Sequence, residues 1–149
     1  MNAVTKPFGW ADYAVLIARL VFAGLFIMAA SSKFFGIGAS ASYIAAAGLP
    51  APLILAWLAA LFETVLAFCF LSGAFFSEAA LLAAIYVVFL GFAFHGPSHW
   101  AGNQSEFGFF VDHFTFMAGL LLAAAHGPGR VLAIRQGILG SLQRTDQNA

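Results

Sequence analysis

Apolar residues run along the chain in four long stretches, Tyr13 to Ser31, Leu53 to Leu71, Ala79 to Phe94 and Phe107 to Ala125. At 1.5 Å of rise per helical residue, each is about long enough to cross a hydrocarbon layer of roughly 30 Å, the third only if it runs through His95. The pattern predicts a single all-α membrane domain, an antiparallel bundle of four transmembrane helices at about 13–31, 53–71, 79–95 and 107–126.

The breaks between stretches have chemical causes. Gly48-Leu49-Pro50-Ala51-Pro52 interrupts any helix before the second stretch, because proline lacks an amide donor and is tolerated only at a helix start. Ser77 and Ser105 are expected N-caps, each followed by a glutamate, Glu78 and Glu106, favoured at the positive helix end. Gly96-Pro97 and Gly127-Pro128-Gly129 end the third and fourth helices. The connection from Lys33 to Pro52 is the longest and predicts a short helix at the membrane surface, whereas about 130–149 reads as a polar tail whose last dozen residues fray.

Composition fits this picture. Hydrophobic residues make up 62% and charged residues 8%, against about 25% charged in a soluble domain, so the chain cannot clothe a soluble surface. The formal net charge of zero gives no electrostatic grip on nucleic acid. Lys6, Arg130, Arg135 and Arg144 fall in the two tails, the connection after the first helix carries only Lys33, and that after the third carries no Lys or Arg. The positive-inside rule then predicts both termini in the cytoplasm. Met28-Ala29-Ala30-Ser31 resembles a signal-peptide cleavage site, but the stretch before it contains Arg19 and three more apolar stretches follow, so a retained first helix is expected. Cys69 stands alone in an apolar run and reads as a small buried hydrophobe. Trp10, Tyr13 and Trp100 sit where interfacial anchors belong.

Ionisable side chains within apolar stretches are costly unless paired or facing water, which singles out Arg19, Glu63 and Asp112. Asp12, Arg19, Phe26 and Lys33 recur every seven residues and share one helical face. Ala56, Ala60, Glu63 and Ala67 form a small-residue face on the second helix. Rise arithmetic leaves an axial gap of about 6 Å between Arg19 and Glu63, which an arginine can span. An intramembrane Arg19–Glu63 ion pair is therefore expected, either tying the helices together or holding a protonatable carboxylate.

At the far ends of the third and fourth helices stand His95, His99, Glu106, Asp112 and His113, joined by Lys33 from the first. Imidazoles and carboxylates together can bind a transition metal, serve a quinone carbonyl with hydrogen bonds and protons, or simply bond to backbone and lipid headgroups. Gly96-Pro97 breaks the helix between His95 and His99, removing the i,i+4 metal geometry. Axial ligation of a haem by His95 and His113 is a further arrangement of the same residues. A quinone or proton site at Lys33, His95, His99, Asp112 and His113 is the expectation, with no metal, haem or covalently attached group. His126, at the opposite end of the fourth helix, reads as interfacial.

Arg19-Leu20, Gly24-Leu25-Phe26-Ile27, Lys33-Phe34, Ala47-Gly48-Leu49-Pro50, Phe62-Glu63 and Leu71-Ser72-Gly73 together resemble the DoxX family of small bacterial four-helix membrane proteins. The likeness continues through Phe94-His95, Gly119-Leu120-Leu121-Leu122 and Gly127-Pro128-Gly129-Arg130. It implies a multi-pass protein of the bacterial inner membrane tied to quinone-linked redox chemistry. Relatives are described as subunits of thiosulfate:quinone oxidoreductase or terminal quinol oxidase, or as partners of oxidative-stress enzymes. The family's polar positions fall on Arg19, Lys33, Glu63 and His95, while Asp112-His113 stands where the family often shows Lys-Asn.

Three functions follow. The first is a subunit or partner of a quinone-linked oxidoreductase, with the catalytic cofactors on a membrane or soluble partner. The second is a small proton-coupled transporter working as a homo-oligomer through Glu63. The third is a scaffold that docks a larger complex through its apolar faces.

Overall fold

The computed structural model describes residues 7–134 and 136–139. Lys6, Arg135 and Arg144, which entered the charge argument, lie outside the described residues, as do 140–149 of the expected frayed tail. The described chain is helical without strands: α1 (Trp10–Phe35), α2 (Ile37–Ala46), α3 (Pro52–Ser72), α4 (Phe76–His95) and α5 (Gln104–His126), with a 3-10 turn at Pro97–His99 before α5. Four of these, all but α2, are long and apolar enough to cross a membrane. The expected helical segment in the first connection is α2. The third span does run through His95, as its length requires. At 26 residues, α1 is about 39 Å long and exceeds a 30 Å hydrocarbon layer, so it tilts or projects.

The pairs of residues that meet define the packing. Along α1 from Arg19 through Phe26 to Lys33, the partners on α3 run back from Leu71 through Phe70 to Glu63, so the two helices are antiparallel. The same reversal relates α4 to α5, where Phe92 meets Phe114 and His95 meets Glu106. α3 and α4 meet through Phe70–Phe76 and Phe62–Tyr86, and Phe22 against Phe116 brings α1 to α5. α2 lies against α3. The small-residue face on α3 and the seven-residue stripe on α1 both turn inward: Ala56, Ala60, Glu63 and Ala67 are buried on α3, and Arg19 and Phe26 are buried on α1. Alanines on α4 let the helices approach where lipid supplies no hydrophobic drive between them.

The two halves of the bundle are packed differently. At the terminal face, where α1 begins and α5 ends, the rings of Phe22, Phe26, Phe70 and Phe76 interlock at centroid distances of 5.4–5.6 Å, with Leu66 and Leu120 buried among them. At the opposite face, where α2 and the α4–α5 connection lie, a cavity takes the place of such a core.

Several expected details differ. Ser77 and Ser105 are not caps: Phe75 and Asn103 occupy the N-cap positions, and neither supplies a side-chain cap. Phe75 takes a left-handed backbone (φ 50), because the chain turns from α3 to α4 within three residues and Phe75 N–H donates to Gln136 O at 2.6 Å. Ser77 is thereby drawn inside the helix and buried. Nor do the described residues after Arg130 form a loose tail. They make a strap against the ends of α3 and α4, in which Ile134 N–H donates to Ser72 O (2.8 Å) and Leu139 N–H to Glu78 Oε1 (2.9 Å). Gly73 permits this docking: its φ is +78, and a Cβ there would sit 3.1 Å from Ala133 Cβ and 3.2 Å from Pro128 Cβ.

Candidate functional site

Arg19 and Glu63 are both 1% exposed, but they do not pair. A side chain on an α-helix leans toward that helix's N-terminus. Arg19 therefore leans toward the terminal face, away from Glu63, while Lys33, two heptads later on the same stripe, leans inward toward it. The guanidinium spends its five N–H groups on five backbone carbonyls: Nε on Phe70 O, Nη1 on Pro128 and Val131, and Nη2 on Leu71 and Leu132, at 2.7–3.1 Å. Two of these carbonyls belong to the last turn of α3, whose acceptors have no intrahelical donor. The other three belong to Pro128, just after α5, and to Val131 and Leu132 of the strap. Arg19 is thus a structural clasp at the terminal face.

Glu63 instead meets Lys33 and Tyr86. Lys33 Nζ stands 2.9 Å from both carboxylate oxygens; its hydrogen bond is directed at Oε1, and Oε2 receives the charge without a directed bond. Tyr86 donates its hydroxyl to the same Oε1 at 2.8 Å. The carboxylate is buried and Lys33 is 21% exposed in its side chain, so the cation forms the surface of the cluster and the anion lies behind it. A buried carboxylate demands such partners, since an uncompensated charge at this depth costs several kcal/mol.

That surface belongs to the cavity, which has a volume of about 670 Å³ and so falls within the range of small-molecule sites. Lys33, Tyr86, His95 and His113 line it among apolar side chains such as Leu58, Phe62, Phe89 and Phe94, and α2 contributes Tyr43 and Ile44. The Tyr43 ring stacks on Phe94 at 4.8 Å, and burial together with the negative charge of Glu106 pushes its phenol above the ordinary tyrosine range.

The two histidines on the lining are held by their Nδ1 atoms. His95 Nδ1 lies 2.6 Å from Glu106 Oε2, and His113 Nδ1 donates to Phe109 O at 2.7 Å. In a neutral ring that arrangement leaves Nε2 of each as the acceptor for a ligand. The rings lie 5.2 Å apart. Gly91 makes this possible, because a Cβ there would stand 3.0 Å from His113 Cβ. Trp100 Nε1 donates to His95 O at 2.8 Å, closing the end of α4.

The expected rim is therefore divided. Lys33, His95 and His113 come together on the cavity; His99 and Asp112 are exposed and do not line it. His99 is carried off by the 3-10 turn after the Gly96 break and meets its neighbour Ser98 at 3.3 Å, and Asp112 precedes His113 on α5, about 100° around the helix from it. Among the described residues, no three His, Cys, Asp or Glu side chains converge to hold a metal. Tyr86 went unnoticed in the sequence, although one signal was available. It lies in the middle of an apolar stretch, where a phenol needs a polar partner, whereas Tyr13 lies at a stretch end.

Comparisons with known proteins agree with this framework. The inner membrane protein YphA of Escherichia coli (strain K12) is 29% identical over 121 residues, covering 78% of this chain and 85% of that protein. No solved structure matches the chain. The DoxX family model matches residues 14–96, from the first turns of α1 to the end of α4, and this multi-pass membrane protein belongs to the DoxX family.

Proposed function

We propose that the protein is a quinone-binding subunit of a redox system in the bacterial inner membrane, with both tails in the cytoplasm and the cavity in the half of the bundle facing outward. The observation that carries this reading is the cavity. Its apolar walls suit a ring and the first units of a lipid-soluble tail, while Lys33 and Tyr86 on one side and His95 and His113 on another offer donors and acceptors to carbonyl or hydroxyl oxygens. The name of YphA supports the location, and tail charges such as Arg130 support the orientation. In this reading electrons pass through a partner oxidoreductase that carries the catalytic cofactors.

The test is solvent extraction of the full-length protein purified in mild detergent, with quinone measured by mass spectrometry, followed by titration with a short-tailed ubiquinone. About one quinone per chain is expected, and Lys33→Met should weaken binding roughly 10- to 100-fold, the loss of one charge-assisted hydrogen bond. Protein that carries no quinone and does not bind the added one would overturn the reading.

A further inference from the structure

The Lys33–Glu63–Tyr86 cluster has the parts of a second chemistry, independent of the quinone reading although it shares the cavity. A primary amine lines an apolar chamber, with a carboxylate 2.9 Å away to take its proton and a phenol fixing the same carboxylate oxygen at 2.8 Å. An amine with an adjacent base at the wall of an apolar cavity is the arrangement of a Schiff-base lysine. We propose that Lys33 condenses reversibly with lipophilic aldehydes that enter from the membrane.

The step balances without any redox partner. Glu63 accepts a proton from the Lys33 ammonium, and the freed amine adds to the aldehyde carbon, forming the C–N bond and, after proton transfer from nitrogen to oxygen, a carbinolamine. Glu63 returns its proton to the departing hydroxyl, which leaves as water, and the C=N bond forms. Ammonium plus aldehyde become iminium plus water. The cation beside Glu63 is therefore conserved. This matters because the carboxylate is 1% exposed: a reaction that neutralised Lys33 would strand a buried anion, whereas iminium formation keeps it paired. The surrounding Phe62, Phe89 and Leu58 select an alkyl or alkenyl chain over a hydrated polar aldehyde. A quinone carbonyl, being a conjugated ketone, is held at the same amine by hydrogen bonding.

The test uses full-length protein in detergent free of amino lipids, incubated with dodecanal and cyanoborohydride, which reduces an imine to a stable secondary amine. Peptide mass spectrometry then locates the alkyl group. Lys6 and the terminal amine are the competing sites. We expect alkylation at Lys33 about tenfold or more faster than at Lys6, loss of that product in Lys33→Arg, and a rate at least about tenfold lower in Glu63→Gln. If Glu63→Gln does not fold, the comparison of wild type with Lys33→Arg decides alone. Labelling confined to Lys6 and the terminus, or equal at both lysines, overturns the proposal. Ubiquinone titration of the same preparation separates the two readings, since binding without alkylation refutes only the imine.

Discussion

Replacing Arg19 with leucine should open the terminal face of the bundle. The substitution keeps an apolar side chain at a buried position but removes five donors from five carbonyls. Each acceptor left buried and unsatisfied costs about 1–3 kcal/mol, so keeping the strap docked would cost at least about 5 kcal/mol. Three of the strap's hydrogen bonds, Ile134 N–H to Ser72 O, Phe75 N–H to Gln136 O and Leu139 N–H to Glu78 Oε1, contribute about 2–4 kcal/mol together. The penalty exceeds what these three bonds return, so the strap should lift and let water reach the carbonyls. Ala133 lies over Gly73 in the docked state and reports this when changed to cysteine in a Cys69→Ala background. Maleimide labelling should accelerate by roughly 5- to 100-fold or more in Arg19→Leu, as a margin of at least about 1–3 kcal/mol implies. Arg19→Lys should fall between, because three donors on a flexible stem cannot satisfy five acceptors. Unchanged labelling and an unchanged unfolding midpoint in Arg19→Leu would show that the guanidinium is not the clasp.

Other expectations follow from single contacts. Gly91→Ala places a methyl 3.0 Å from His113 Cβ and should cost about 1–3 kcal/mol of overpacking, read as a lower thermal midpoint together with weaker quinone binding; a wild-type affinity would contradict the placement of His113 on the site. Ser77 is 2% exposed and its hydroxyl has no hydrogen-bond partner among the described residues, so Ser77→Ala should be neutral or stabilising by about 1 kcal/mol, and marked destabilisation would reveal a partner. Gly73→Ala combines positive φ with contacts at 3.1–3.2 Å and should destabilise by more than 1 kcal/mol or so, with the loss reduced in Arg19→Leu, where the strap is already lifted.

The spans and inward faces were legible because hydropathy and small-residue spacing act locally. The seven-residue stripe on α1 and the alanine face around Glu63 depend only on helical geometry, and both point inward as expected. Pairing was not legible, since it depends on the lean of each side chain as well as its depth. Arg19 and Lys33 share a face, but only the lean toward the helix N-terminus brings Lys33, and not Arg19, to Glu63. Arg19's partners at Pro128 and on the strap are more than a hundred residues away and are backbone atoms, which leave no mark in residue type. The cap expectation failed at Ser77 because the strap, through Gln136 O, holds Phe75 in a left-handed turn and starts the helix early. His99 and Asp112 share polarity with the cavity residues but not their direction, and polarity alone cannot separate the two.

Photolabelling with an azidoquinone tests the central claim most directly, because it asks where a quinone sits. Peptide mapping should place the label on cavity residues of α2, α3 and α4, such as Tyr43, Phe62 and Phe89, with excess ubiquinone suppressing it and Lys33→Met reducing it. Label confined to outward-facing residues such as Phe68, Ile85 and Leu122, and indifferent to competitor, would contradict the assignment of the cavity.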